Sequence, residues 1–229
     1  VTLPAWNGPG TVIYGDEIPY DAFLPEVLPY VPGCPEFVAI NAIRNAAIAF
    51  CEKTNYVQMD SDPVTGVINV PTYEIDVPAD TRFLDVMNAW YNNVLLIPKS
   101  DDELARIYRT LDWRTLSSNP IYITRLVEPI VQLVPFPNST IIGALTMRIS
   151  LAPTRSSTGC QKRLWEHYIE TIGCGARARL YATPGQPYGD PKMAAEYDLM
   201  FRRKCGDARR KVEKGLGRAD AKIQFQGWV

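Results

Sequence analysis

Nineteen prolines among 229 residues constrain this chain more than any other feature. Each proline lacks a backbone donor and holds φ near one value, so long helices must fit between prolines and central strands must avoid them. An uninterrupted helical bundle is thereby excluded, and extended connections and edge strands are expected. Composition adds that the chain can still build a core. Hydrophobic residues make up 46% and charged residues 21%, ordinary values for a globular protein. At this length roughly 70–75% of the unfolded surface can be buried. One or two domains are expected, and disorder of the whole chain is not.

Three regimes follow one another. In the first, about residues 20–60, Asp21 is placed to cap a short turn reaching Leu28, and PYVPG (Pro29–Gly33) interrupts. Pro35 then suits the first position of a helix over Glu36–Lys53, where its missing N–H costs nothing. Along that helix Phe37, Ile40, Ile43, Ala47, Phe50 and Cys51 form a bulky row, expected to enter the core. Ala39, Ala42, Ala46 and Ala49 form a second row that would let a neighbouring helix approach closely.

The second regime, about residues 61–152, reads mainly as strand. DPVTG (Asp62–Gly66) signals a turn, and Val67 to Val77 carries apolar residues interrupted by Pro71, with Pro78 following, an edge signature. Val94–Ile97 is a short apolar run, and Ile121–Val134 is rich in β-branched residues around Pro129. Leu145, Met147, Ile149 and Leu151 alternate with Thr146, Arg148, Ser150 and Ala152, the period of a sheet with one buried face. Ser100 and Glu103 have the spacing of a capping box opening a helix over Asp101–Arg109, with Leu104 and Ile107 expected inward. Strands and turns at this spacing predict an antiparallel sheet or sandwich. The uncharged span Pro129–Met147 is long enough to suggest a membrane helix, but its prolines, Asn138 and Gly143 favour two strands around a turn.

The third regime returns to helix. Leu164, Tyr168, Ile169 and Ile172 mark one helix that reaches toward Leu180. After the loop Thr183–Pro191, Asp190 is expected to cap and Pro191 to open a long helix ending near Lys214. Met193, Tyr197, Met200 or Phe201, Cys205, Ala208 and Val212 lie on one side of it. Beyond Gly215 and Gly217, Ala219, Ala221, Ile223 and Phe225 alternate with polar residues up to Trp228 and Val229. An isolated strand there leaves its backbone unpaired, so it either joins the subunit's own sheet or adds to a partner's.

The net charge of −1 hides a division. From Arg155 onward there are 15 basic and 8 acidic residues; before it there are 9 and 17, with no base until Arg44. Arg177, Arg179, Arg202, Arg203, Lys204, Arg209, Arg210 and Lys211 could touch phosphates without reading bases. They equally suit a solvated helix end that complements the helix dipole. The five cysteines are scattered, none in a CxxC pair, and no leader-like segment opens the chain, so reduced thiols in a cytoplasmic product are expected.

Catalytic signatures are sparse. His167, the single histidine, lies mid-helix with no nucleophile pattern near it, and neither a zinc-ligand spacing nor a phosphate loop is present. GCGAR (Gly173–Arg177) lacks a phosphate-loop lysine, and the helix dipole accounts for Asp101 and Asp102. No enzyme, cofactor, metal or membrane partner is expected.

The order of these parts resembles a known family. A helix ending in AFCEKT (Ala49–Thr54), a proline-punctuated β middle, and paired C-terminal helices with an extended tail recur together in it. With them come PADTRF (Pro78–Phe83), IPKSDDEL (Ile97–Leu104) and VPFPN (Val134–Asn138). Over about residues 20–215 the chain resembles the head-to-tail adaptor proteins of tailed bacteriophages, also called tail tubular or connector proteins. The resemblance implies an α+β fold with a helical bundle from residues 20–60 and 156–217. It also implies a central β module over 61–152, an N-terminal extension over 1–19 and an extended C-terminal arm over 218–229. It further implies a structural virion protein that forms a ring, commonly of twelve subunits, in the neck between capsid portal and tail. Such a ring is assembled in the bacterial host cytoplasm, contacts a tail nozzle or tail-tube protein, and lines a channel through which genomic DNA passes transiently. Carried onto this sequence, Lys222, Ile223, Phe225, Trp228 and Val229 become the portal-binding arm. Arg202, Arg203, Arg209, Arg210 and Lys211 become subunit-interface or channel residues. The alternative is a nucleic-acid-binding packaging protein that uses the same basic helices.

Overall fold

Apolar alternation and helical periodicity are both realised, in separate parts of the chain. A computed structural model describes residues 16–109 and 111–214. In chain order the elements begin with strand β1 (Glu17–Pro19), a 3-10 segment Tyr20–Glu26, a shorter one Leu28–Tyr30, and helix α1 (Glu36–Thr54). Strands β2 (Gln58–Asp60), β3 (Val64–Gly66), β4 (Thr72–Glu74), β5 (Thr81–Tyr91) and β6 (Val94–Pro98) come next. Helix α2 (Asp101–Tyr108) precedes β7 (Ser117–Ser118), β8 (Tyr122–Val127), β9 (Ile130–Val134), β10 (Phe136–Pro137), β11 (Ile141–Pro153) and β12 (Gly159–Gln161). Helices α3 (Lys162–Tyr181) and α4 (Pro191–Glu213) follow. The fold is mixed α+β with a curled central sheet.

Among the described residues, contacts form two units, 16–19 with 57–163 and 20–56 with 164–214. In the first, the large sheet runs β2-β11-β5-β6-β8-β9-β4, with β3 also paired to β11. The curl follows from connectivity. β3 is held on β11 and β4 on β9, yet only residues 67–71 join them, a reach of about 20 Å at most. Tyr73 Oη closes the same gap by accepting from Val67 N–H at 3.1 Å. The inward face carries Leu145, Met147, Ile149 and Leu151 of β11 against Phe83, Ala89 and Tyr91 of β5, all buried. Pro71 does precede an edge strand, since β4 ends the sheet.

Several expectations are corrected. The sheet is not purely antiparallel, because β6 and β8 pair in parallel with α2 in the crossover between them. Val64–Gly66, read as part of a turn, is strand β3, and within Val67–Val77 only Thr72–Glu74 is strand. Gln58–Asp60 and Gly159–Gln161, inside segments read as helical, are strands, and Glu17–Pro19 of the expected N-terminal extension pairs with β12. The capping box forms as expected, Glu103 N–H donating to Ser100 Oγ while Ser100 N–H donates to Glu103. Leu104 is buried, but Ile107 is exposed, because α2 meets the sheet through one narrow side with Trp113 and Val134.

In the second unit, Pro35 is the N-cap rather than the first helical residue, and Asn55 in a left-handed conformation ends α1. Phe37, expected in the core, is 69% exposed, while Ala39, Ala42, Ile43, Ala46 and Phe50 are buried. Both rows are therefore buried, the bulky one through Ile43, Ala47, Phe50 and Cys51, and the alanine row makes the close helix contact expected of it. A Cβ added at Gly175 of α3 would lie 3.1 Å from Ala46 Cβ and 2.9 Å from the Phe201 ring of α4. Three helices therefore converge where small residues permit it. α3 bends at Tyr168, whose φ of −134° is not helical and whose ring packs on Phe50 and Tyr56.

Candidate functional site

α4 begins as its sequence demands. Asp190 accepts from Lys192 and Met193 N–H at 2.9 and 3.2 Å, and Pro191 occupies the first turn. Its buried side is narrow, consisting of Phe201, Cys205 and Ala208. The choice between Met200 and Phe201 thus falls to Phe201, with Met200 44% and Leu199 60% exposed.

The five predicted interface residues share the outer side of this helix. Seven-residue steps place Arg202 with Arg209 and Arg203 with Arg210 in two adjacent rows, with Lys211 beside them. All five are exposed. Arg202 pairs with Asp198 and Arg209 with Glu213, each at 2.7 Å, and Arg210 pairs with Asp207. Lys204, grouped with them as a phosphate contact, instead bridges to Glu170 of α3 at 3.0 Å. Arg203 and Lys211 have no ion-pair partner among the described residues. The portal-arm residues Lys222, Ile223, Phe225, Trp228 and Val229 lie outside the described residues.

Arg177 also differs from its expected role. It is 6% exposed, and its guanidinium lies 4.2 Å from the centroid of the Tyr30 ring and 4.7 Å from that of Tyr197. Nε donates to Gly173 O at 3.2 Å. Stacking between two rings keeps a delocalised cation inside the protein, so Arg177 is unavailable to phosphate. No sequence signal distinguished it from the exposed Arg179 two residues later.

The first unit holds an open cleft of about 410 Å³ that sequence reasoning missed, lined by β5, the end of β6, the start of α2, and β8. Its charged groups are committed to structure. Asp101 accepts from Arg114 at 2.8 Å and from Thr124 Oγ at 3.3 Å, and Arg125 donates to Leu84 O. Lys99 and the Ser100 amide hold the Glu103 carboxyl down at about 2. That depression contributes stability above the ordinary carboxylate range, lost as pH falls toward about 2. Such a cleft offers packing and hydrogen bonding, with no activated nucleophile among its lining residues.

The five cysteines are free and buried. Burial pushes the Cys160 and Cys205 thiols up to about 12, with Glu17 adding to the effect at Cys160 and Lys53 opposing it at Cys205. These thiols pack as small apolar groups rather than as thiolates. His167 is exposed on α3. Among the described residues, no His, Cys, Asp and Glu cluster is placed to hold a metal, and no helix is long and apolar enough to cross a membrane. No protein-family model matches the chain, and comparison with curated proteins gives no match either.

Proposed function

We propose that this chain is a structural virion protein, a ring-forming head-to-tail adaptor that joins the portal to the tail of a bacteriophage and lines the DNA exit channel. The observation that carries this reading is α4, which buries three of its 23 residues and presents Leu199, Met200 and two rows of arginines outward. Most helical stability in proteins comes from packing one face, and exposed apolar side chains set among charges mark contact surfaces. Such a helix suits a subunit completed by its neighbours.

In this reading the helices of the second unit form the bundle that packs around the ring. The tail nozzle or tail-tube protein lies below, and residues 218–229 form the arm that grips the portal through Ile223, Phe225 and Trp228. Individually weak arms become collectively strong when repeated about twelve times, through effective concentration. The ring belongs to the virion neck and is assembled in the host cytoplasm, without a membrane partner. The local carboxylates favour protein over DNA as the lasting partner of α4. Asp198, Asp207, Glu213 and Glu170 already neutralise four of its bases, whereas tight phosphate binding requires cations free to displace counterions.

The test is a deletion of Ala219–Val229 followed by co-purification with the cognate portal protein. The truncated subunit is expected to fold and to lose portal attachment; retained attachment would overturn the assignment of the arm. The packaging alternative draws on Arg203 and Lys211, which lack ion-pair partners among the described residues. It requires duplex binding near 0.1 M salt that falls steeply as salt rises, and the adaptor reading expects little of either.

A further inference from the structure

We infer that the second unit carries two complementary faces on opposite sides, and that the basic face of one copy docks on the acidic face of the next. This rests on the ring reading above and specifies which surfaces close the ring.

The opposition of the faces follows from two pairs of residues. In α3, Gly173 and Gly175 are two positions apart, about 200° around the helix axis. A Cβ on Gly173 would lie 3.3 Å from Glu26, at the end of the 3-10 segment Tyr20–Glu26, whereas one on Gly175 would meet Phe201 of α4. In α1, Ala46 faces the contact with α4, while Arg44, two positions earlier, reaches the Tyr20 ring, 5.8 Å from its centroid. Both helices thus meet α4 on one side and the 3-10 segment on the other. Along these contacts Tyr20–Glu26 and α4 flank α1 and α3 from opposite sides; beyond Glu26 the chain comes round toward α4, where Arg177 lies between Tyr30 and Tyr197.

Those flanking segments have opposite charge. Residues 201–214 hold seven bases and two acids, whereas residues 20–44 hold three acids, Asp21, Glu26 and Glu36, and one base, Arg44, whose guanidinium is turned onto the Tyr20 ring. None of the three acids has an ion-pair partner among the described residues. Phe37 precedes Arg44 by two helical turns, so it projects on the acidic side, where it is 69% exposed. The facing patch offers Leu199 and Met200 beside Arg202 and Arg203. An aromatic anchor with acids on one face therefore matches apolar side chains with bases on the other.

A second copy is the occupant these charges select. Joining two α4 faces would bring like charges together, which is costly; joining unlike faces leaves each subunit one open face of each kind. That is a heterologous contact, which closes into a ring when its rotation permits. The existing ion pairs on α4 do not prevent this, because exposed ion pairs contribute little to stability and can be exchanged for pairs with a neighbouring copy.

The experiment uses the full chain and light scattering at about 0.05 M and about 0.5 M salt. The wild type is expected to associate, with assembly weakened at the higher salt by screening. Two variants each spoil one face: Arg203→Glu with Arg210→Glu and Lys211→Glu, and Asp21→Lys with Glu26→Lys and Glu36→Lys. Each alone is expected to weaken association about tenfold or more. An equimolar mixture is expected to restore it, since one variant is acidic on both faces and the other basic on both. That rescue also excludes misfolding as the cause of the loss. Unchanged mass in either variant, or no recovery on mixing, overturns this interface even if the wild type forms rings and binds portal. A monomeric wild type at low salt overturns it as well. Failure of the wild type to bind portal, with the charge-swap rescue intact, would sink the adaptor reading and leave the interface standing.

Discussion

Helices α1 and α4 are similar in length and period, yet they are used in opposite ways. α1 buries ten of 19 residues, including the full alanine row, whereas α4 buries three of 23. The difference lies in how many sides of each helix are covered within the unit. α1 meets the Tyr20 ring on one side and the Gly175–Phe201 contact on the other. α4 meets neighbours along a single stripe. Apolar periodicity thus tells which side of a helix can be buried first, but not whether a second side will be covered.

Substitutions along the two helices can break this contrast. The largest effect is expected from Ile43→Asp, which places an unpaired charge at a fully buried position of α1. A loss of about 3–5 kcal/mol or more should unfold the subunit, and an unchanged thermal melt would show that this side of α1 is not core. Next comes a matched pair of glycines. Gly175→Ala meets the buried Phe201 ring and should cost about 1–3 kcal/mol of urea-unfolding stability. Gly206→Ala on α4 meets nothing within 4 Å and should gain up to about 1 kcal/mol from helix propensity. Similar effects at both glycines would contradict the view that only one side of α4 is packed. Arg177→Lys keeps the charge but loses the planar stack between Tyr30 and Tyr197, and should cost about 1–2 kcal/mol. The smallest effect belongs to Arg203→Ala on α4, within about 0.5 kcal/mol of wild type. A large drop in its melting temperature would mean that this face is already packed within the subunit.

Much of the local architecture was legible because the signals act within a few residues. Asp190 followed by Pro191 starts α4, Ser100 and Glu103 cap α2, and the alternation from Leu145 to Leu151 lies in β11 with those apolar residues inward. Strand β5 was illegible for a geometric reason. Its partners on β11 are Phe83 for Leu151, Val86 for Ile149 and Ala89 for Met147, a spacing of three produced by two register shifts. Each bulge inserts a residue and changes the phase of the alternation, so this long strand shows neither a clean period of two nor a helical stripe. The parallel pairing of β6 with β8 was hidden likewise, because each strand alone reads the same in either direction. The exposed bases on α4 were legible as a basic run. That Glu26 lies on the other side of α3 from α4 was not, since it depends on Gly173 and Gly175 facing different neighbours.

Sequence alone therefore determined the broad order of helical and extended regimes, the caps of α2 and α4, the edge character of β4, and the place where basic residues gather. Caps, prolines and alternation act through bonds and contacts a few residues long. Tertiary structure decided that both rows of α1 are buried, that Phe37 faces solvent, that Arg177 lies between two tyrosine rings, and how far the sheet curls. Those outcomes depend on segments distant in the chain meeting in space. A side chain's burial is set by whichever neighbour arrives, not by the residues beside it.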